Sequence, residues 1–239
     1  MSLGLRRATS AGKKRDEAER PFWISFSDLM TALMVLFLVA MSVALMAITR
    51  EISEAEEKKA EREAEIAELM QRLQAATRDF PGVRVQGRVV DFGDRARFDT
   101  NSHRLSEAQA RLLRGFTPHI LALARDPLGE KWLKRVVVEG FADARGSYLH
   151  NLNLSLQRSE RVLCVLQAQP PQPAALDEAD RQLVRDLFLV GGASFNALRE
   201  SAEESRRIEM RLEFRDLDEA RAGPRPPSGD GDGRCPLDL

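Results

Sequence analysis

A long apolar segment near the amino terminus constrains this chain more than any other feature. It runs from Pro21 to Ile48 with one carboxylate, Asp28, and a stretch without any charge follows that residue. About 20 helical residues span about 30 Å, which is the thickness of the hydrocarbon core of a bilayer. The segment is too long for the core of a signal peptide, and no small-residue cleavage site follows it. It predicts one permanent transmembrane helix over residues 21–49.

The charge in front of this segment predicts how the helix is oriented. Residues 1–20 form a basic tail, in which lysine and arginine outnumber aspartate and glutamate. Short flanks rich in lysine and arginine stay in the cytoplasm. We therefore expect a single-pass protein of the bacterial inner membrane, with a cytoplasmic amino terminus and a periplasmic carboxy-terminal domain.

Asp28 is the residue of the segment that most needs an explanation. An ionised carboxylate is costly in lipid, so intramembrane acids usually face protein or water and mark ion pathways. Ser27 adjoins it and Thr31 follows three residues later on the same helix face, so both are candidates to hydrogen-bond the carboxyl or to guide water. The pattern leaves a second interpretation open, in which Asp28 extends to the headgroups at the membrane edge.

Residues 50–80 are predicted to form a periplasmic helical linker, because glutamate, lysine, arginine and alanine favour helix. A seven-residue spacing with a polar middle indicates a weak coiled coil. The positions of this seam are Ile52, Lys59, Ile66 and Leu73, with Ala55, Arg62, Leu69 and Ala76. Pairing of two chains and a simple rigid spacer both fit this pattern. Pro81 and Gly82 are expected to end the helix.

Residues 81–216 are predicted to form one α+β domain. Residues 83–92 alternate as a strand pair broken at Gly87, and a helix of about 20 residues should begin near Ser106. A central strand, a second amphipathic helix, a proline-rich linker, a short helix and two strands follow, which gives the order βαβα(α)ββ and a sandwich with helices on one face. Residues 217–239 are rich in proline and glycine and are expected to be disordered. Cys164 is expected in the core and Cys235 in this tail, and their spacing does not favour a disulfide.

Two motifs in this domain resemble the peptidoglycan-binding module of the OmpA/Pal/MotB superfamily. Its G-[HYF]-[TA]-D and N-x-x-L-S-x-x-R patterns correspond to Gly140, Phe141, Ala142, Asp143, Asn151, Leu154, Ser155 and Arg158. The closing strand, residues 205–214, is similar to the family's N-R-R-[VI]-E strand, with serine at its first position.

The resemblance implies an OmpA-like fold in which Asp143 and Arg158 hold the diaminopimelate of a stem peptide, with Asn151 and Phe141 in the same site. The chemistry agrees, because a zwitterionic amino acid needs a carboxylate for its ammonium and a planar guanidinium for its carboxylate. Without the motif, Asp143 reads as a turn residue and Arg158 as part of a surface ion pair.

The apolar segment at residues 21–42, PFWISFSDLMTALMVLFLVAMS, resembles the stator helix of MotB-type proteins and is similar to the ZorB helix of Zorya anti-phage defence systems. The resemblance implies a homodimer inside a ring of about five MotA-like subunits, called ZorA in those systems. It also implies proton flow through Asp28 that drives rotation and signals to effectors that degrade phage DNA. A flagellar-type stator subunit and a passive peptidoglycan tether are the alternatives.

Several function classes find no support in the sequence. The net charge is −1 and no basic groove is interleaved with aromatic residues, so we expect no direct binding of nucleic acid. His103, His119 and His150 lack the spacing of metal ligands, and no nucleophile has a nearby base. We therefore expect a protein without catalytic site, cofactor or metal.

Overall fold

The first helix, α1, is by far the longest element of the chain. The computed structural model describes residues 13–169, 176–220 and 235–238, and α1 runs from Lys13 to Ala76. The chain divides into two compact units between Lys58 and Lys59. We call the residues up to Lys58 the helical unit and those from Lys59 onward the folded unit. Most of the predicted basic tail and all but one residue of the proline-rich linker lie outside the described residues.

The helical unit contains the predicted membrane segment. Within Ser25–Asp79, α1 has a stretch long and apolar enough to cross a membrane, and no part of that stretch is buried. Side chains from Ser25 to Arg50 are all exposed. A helix that is apolar on every side and exposed on every side needs lipid or a protein partner around it.

The folded unit is built on a five-stranded sheet. Its strands are β1 Arg84–Gln86, β2 Val89–Asp91, β3 Leu133–Gly140, β4 Phe188–Gly192 and β5 Ile208–Phe214. They lie in the order β1-β2-β5-β3-β4, and only β3 and β4 run parallel. The predicted hairpin broken at Gly87 is confirmed. Strand β3 lies inside the sheet, between β5 and β4, but the middle strand is β5 and not β3. The α+β class is also confirmed.

Among the described residues of the folded unit, five α-helices follow α1. They are α2 Glu107–Arg125, α3 Pro127–Trp132, α4 Tyr148–Gln167, α5 Glu178–Leu187 and α6 Ala202–Ser205. Helix α2 begins where predicted, because Ser106 and Gln109 form a capping box that satisfies two backbone N–H groups. Helices α3 and α6 were not predicted, because they have six and four residues and are too short to show an apolar period.

The end of α1 belongs to the core of the folded unit. Ile66, Leu69 and Leu73 are at most 2% exposed, and Arg62 donates from Nε to the Arg215 carbonyl at 2.8 Å. This differs from the expected linker, because half of the predicted coiled-coil seam packs against its own domain. Apolar side chains of a weak heptad take the nearest apolar surface, and here the sheet and its helices supply it.

The structure of the carboxy-terminal segment differs from the predicted disorder and from the expectation of unpaired cysteines. Cys164 on α4 forms a disulfide with Cys235, and their Cα atoms lie 5.2 Å apart. Residues Pro236–Asp238 then form one short 3₁₀ turn. The segment 235–238 is therefore ordered, contrary to the predicted disorder, while 221–234 lie outside the described residues. Chain separation gave no hint of this pairing, because only the folded unit brings the two cysteines together.

Candidate functional sites

The first candidate site is the carboxyl of Asp28 on the exposed part of α1. The Asp28 side chain has no ion pair within the described part of the chain. Thr31 donates from Oγ1 to the Ser27 carbonyl at 2.8 Å, as Ser42 does to Leu38 at 2.7 Å. A hydroxyl in an apolar helix commonly satisfies itself in this way. The hydroxyl hydrogen of Thr31 is therefore bonded to the backbone, and the hydroxyl oxygen remains able to accept a hydrogen bond from a neutral carboxyl.

The second candidate site is a cavity of about 210 Å³ in the folded unit, which we call the Asp143 cavity. It lies where the loop after β3 meets the first turns of α4. Its lining residues are Thr100, Asn101, Asp143, Arg145, Gly146, His150, Asn151, Leu154, Arg158 and Arg206. The structure thus brings together three of the four residues predicted for peptidoglycan binding.

Asp143 is 6% exposed and strongly hydrogen-bonded. Its Oδ1 accepts from the Arg145 backbone N–H at 3.0 Å, and its Oδ2 accepts from Arg145 Nη2 at 3.1 Å and Arg206 Nη1 at 3.0 Å. A carboxylate offers about four lone-pair positions, so about one is left for a ligand. Asp143 is therefore more than the turn residue that a motif-free interpretation allows.

Arg158 lies fully buried beneath the end of β3. Its guanidinium donates to the carbonyls of Ser102 at 2.9 Å, Phe141 at 2.6 Å and Asp99 at 3.1 Å. Its Cζ also lies 4.9 Å from the centroid of the Phe98 ring. A guanidinium has five N–H donors, so two remain for a ligand. The alternative of a surface ion pair does not fit this burial.

Gly140 allows the part of α4 that carries Arg158 to pack directly against the end of β3. A Cβ at Gly140 would lie 1.9 Å from the Ser155 carbonyl oxygen and 3.1 Å from Arg158 Cβ. Only glycine allows α4 to approach the end of β3 this closely. The motif glycine thus places the arginine, rather than forming a turn.

The other two predicted residues, Asn151 and Phe141, make their contacts at this site through backbone carbonyls: Asn151 bonds to that of Arg145, and Arg158 bonds to that of Phe141. Asn151 is 2% exposed and donates from Nδ2 to the Arg145 carbonyl at 2.8 Å, which fixes the loop that carries Asp143. The Phe141 ring is not among the described side chains that line the cavity. It packs instead against Arg207, whose Cζ lies 3.9 Å from the ring centroid.

Sequence reasoning missed the two arginines on Asp143. Arg206 precedes β5 and is held by its Nε bond to the Phe98 carbonyl at 2.9 Å, whereas the Arg145 side chain is 63% exposed. Arg206 stood in the recognised closing motif, but nothing local linked it to Asp143, which lies 63 residues away. The cavity therefore has three guanidinium groups around one carboxylate.

These contacts shift the pKa values of both motif residues. Burial would raise the pKa of Asp143, but hydrogen bonds from the Arg145 backbone and from the Arg206 and Arg145 side chains outweigh burial and lower it. Burial, and then the charge of Arg206, lower the pKa of Arg158 to about 10. Asp143 is thus ionised and Arg158 is charged at neutral pH, which is the state that a zwitterionic ligand requires.

The described residues contain no group of three or more histidine, cysteine, aspartate or glutamate side chains arranged to hold a metal ion. His150 Nε2 lies 2.8 Å from Asn101 Oδ1 at the rim of the Asp143 cavity. The polar groups of the cavity suit recognition of charged groups.

Comparison with known proteins finds a family model that matches the amino-terminal part of the chain and a relative that matches most of its length. Residues 6–62 match the family model described as membrane MotB of the proton-channel complex MotA/MotB. The Zorya protein ZorB of Escherichia coli O139:H28 (strain E24377A / ETEC) is 42% identical over 213 residues, covering 87% of this chain and 87% of that protein.

Solved structures similar to this chain include a cell wall anchor and a periplasmic domain of MotB. The cell wall anchor of the T6SS from Pseudomonas aeruginosa is 22% identical, covers 61% of this chain and 97% of its own, and has a TM-score of 0.40. A periplasmic domain of Helicobacter pylori MotB is 12% identical, covers 57% of this chain and 83% of its own, and has a TM-score of 0.39.

Proposed function

Because the chain belongs to the ZorB family of Zorya proteins, we propose that it is the ion-carrying, wall-anchored subunit of a Zorya membrane complex. The observation that carries this proposal is the lone carboxylate of Asp28 on a helix exposed along its apolar length. Such a helix is incomplete by itself. A single helix cannot enclose a pore, so an ion path past Asp28 requires further helices around it.

The partner is a ring of MotA-like subunits, ZorA in these systems, with about five copies around two copies of this chain. The match of residues 6–62 to the MotB family model supports this arrangement, because the matched region contains Asp28. The amino terminus lies in the cytoplasm and the folded unit in the periplasm. The Cys164–Cys235 disulfide supports this orientation, because disulfides persist in the oxidising periplasm and are rare in the cytosol.

Asp28 carries protons by alternating between its neutral and ionised forms at the interface with the ring. The neutral form crosses the apolar environment, and the ionised form is stable only where water or the partner reaches it. Because the Thr31 hydroxyl donates to the Ser27 carbonyl, its oxygen can act towards Asp28 only as a hydrogen-bond acceptor. An acceptor stabilises the neutral carboxyl, which has a proton to donate. Ser27 supports the same path. The membrane potential contributes about 2.3 kcal/mol per charge per 100 mV, which biases each step in one direction.

The folded unit anchors the complex by binding diaminopimelate of peptidoglycan in the Asp143 cavity. The ligand ammonium takes the remaining position on Asp143, and the ligand carboxylate takes the two N–H groups that Arg158 does not spend on the backbone. Arg145, the exposed arginine, moves aside, whereas Arg206 stays in place through Phe98. Fixed to the wall, the two chains hold still while the ring turns, in the service of anti-phage defence.

The channel half is tested by Asp28→Asn, which keeps the size of the side chain and removes its titration. We expect this variant, reconstituted with its ring partner in liposomes, to lose ion flux completely, and cells carrying it to lose protection against phage. Flux is measured under separate pH and sodium gradients, so that protons and sodium ions are distinguished. Asp28→Glu, which keeps a titrating carboxyl, and Ser42→Ala, which changes another polar residue of the same helix, are the controls.

A conducting Asp28→Asn variant that still protects cells would overturn the channel half. Full wall binding with no flux in the wild-type complex would favour the passive tether. Flux together with motility in place of phage defence would favour the flagellar-type stator.

The anchoring half is tested by Asp143→Asn in a pull-down with purified sacculi. Because a charge-assisted hydrogen bond to the ligand ammonium is lost, we expect wall binding to weaken about tenfold or more. Free diaminopimelate should release the wild-type protein from sacculi, and lysine should not. Arg125→Gln, an exposed arginine paired with Asp180, is the matched control. Unchanged sedimentation of Asp143→Asn would refute the site.

A further inference from the structure

A second and larger cavity lies between α2, α4 and the carboxy-terminal segment 235–238. Its volume is about 690 Å³, and it shares no lining residue with the Asp143 cavity. Its charged lining comprises Arg104, Arg114 and Arg161 with Glu107 and Asp238. We call it the arginine cavity.

Two arginines of this cavity have unsatisfied hydrogen-bonding groups. In the described parts of the chain, the only buried side-chain nitrogen or oxygen atoms without a partner are the Nε atoms of Arg114 and Arg161. The side chains are 6% and 13% exposed. An unpaired buried donor costs free energy, and folded proteins normally satisfy such a group with protein, water or an ion. Both unpaired Nε groups belong to residues that line the same cavity, which indicates that the cavity binds a hydrogen-bond acceptor.

The carboxy-terminal segment of the chain already supplies a carboxylate and a carbonyl to one arginine of the cavity. Arg161 Nη1 lies 2.8 Å from Asp238 Oδ1, and Arg161 Nη2 donates to the Leu237 carbonyl at 3.3 Å. The Cys164–Cys235 disulfide fixes this segment beside α4. The Asp238 side chain is 65% exposed, so it fills only the rim of the cavity. An internal carboxylate thus marks one position that an external oxyanion can take.

The inner arginine is also incompletely paired. Arg114 Nη2 donates to Glu107 Oε1 at 2.8 Å, and Glu107 is 68% exposed. His103 adds no charge that would need an anion of its own, because burial, then the charges of Arg161 and Arg104, lower its pKa. Three guanidinium groups face two carboxylates that are both largely exposed to solvent, so the interior of the cavity is electropositive.

We propose that the arginine cavity binds an oxyanion, a carboxylate or phosphate group held by Arg114 and Arg161, with Asp238 as the internal carboxylate that it displaces. Planar guanidinium groups suit this role, because they bind carboxylate and phosphate oxygens in pairs of parallel hydrogen bonds. The oxyanion comes either from solution or from the acidic groups of the wall.

Inorganic phosphate is the probe, titrated calorimetrically into the full-length protein in detergent at constant ionic strength. We expect saturable binding that weakens about tenfold or more in Arg114→Gln and in Arg161→Gln. Asp238→Asn removes the internal competitor, which is an exposed pair, and should tighten binding about two- to fivefold. Arg185→Gln, an exposed arginine on α5 paired with Glu178, should bind as the wild type does.

Asp238→Asn keeps the proposal testable if an arginine variant fails to fold, because its side chain lies at the surface. Absence of saturable binding, or equal affinity of Asp238→Asn and the wild type, overturns the proposal. A sacculus pull-down with Arg161→Gln distinguishes the two sources. Weaker wall binding identifies a wall oxyanion, and unchanged wall binding with lost phosphate binding identifies a soluble one.

Discussion

The helical unit and the folded unit treat polar side chains in opposite ways. In the helical unit every side chain from Ser25 to Arg50 is exposed, and Asp28 has no ion pair within the described residues. In the folded unit Asp143 and Arg158 are 6% and 0% exposed and are held by hydrogen bonds from or to several residues. The surroundings of the Asp28 carboxylate are therefore left to groups other than the described residues, whereas the Asp143 carboxylate is already surrounded by its hydrogen-bond donors.

This difference separates two kinds of function. A carboxyl that must gain and lose a proton cannot be fixed by strong internal partners, because each partner would favour one charge state. A carboxyl that must recognise an ammonium has to remain ionised and in place. Substitutions in the helical unit should therefore change activity without changing stability, and those in the folded unit should change both.

Arg158→Met gives the largest expected effect on stability. The change removes the bonds to the Ser102 and Phe141 carbonyls, while the Asp99 carbonyl keeps its bond from the Ser102 N–H. We expect the folded unit to lose about 4 kcal/mol of unfolding free energy, including the contact with Phe98. Fluorescence of Trp132, which is 7% exposed, reports the transition in a Trp23→Phe background.

Two substitutions serve as references for Arg158→Met. Arg125→Met removes one exposed arginine and should cost less than about 1 kcal/mol. Asp28→Asn should leave the Trp132 transition unchanged. If Asp28→Asn lowers the stability of the folded unit, the contrast between the two units is wrong.

Cys235→Ser gives the next largest effect. The disulfide joins residues separated by 71 positions, so its loss releases a long loop in the unfolded chain and should cost about 3 kcal/mol. Chemical denaturation with and without a reductant checks this value, since the chain has two cysteines in all. Reductant should destabilise the wild type and leave Cys235→Ser unaffected. Equal stability of the wild type and Cys235→Ser in the absence of reductant would contradict the prediction.

The fold was predictable where the pattern was local. In β5 apolar residues alternate along the sequence at Ile208, Met210, Leu212 and Phe214, which is typical of side chains on one face of a strand, and all four are buried. Ser106 predicted the start of α2 because a capping box acts within four residues. Asp143 and Asn151 meet at one cavity because β3, a short loop and α4 follow one another in the chain.

What the sequence did not reveal depends on distant contacts. Arg206 reaches Asp143 across 63 residues, and Cys164 reaches Cys235 across 71. The heptad at Ile66 and Leu73 was read correctly as a helix with an apolar seam. The surface that covers half of this seam, its own domain, was not predicted, because periodicity shows which face is apolar and not which surface covers that face.

The smallest expected effect is the pH dependence of Asp143, and it sharpens the comparison with Asp28. Because hydrogen bonds lower the folded-state pKa of Asp143, its ionised form contributes stability above the unfolded pKa of about 4, and this contribution is lost as the pH falls through the folded pKa. The stability difference between the wild type and Asp143→Asn should therefore be constant near neutral pH and shrink below about pH 4. The other carboxylates titrate in both proteins and cancel in this difference, which denaturant titrations of the Trp132 signal measure at each pH. Asp28→Asn should show no such difference at any pH, because no described side chain forms an ion pair with Asp28.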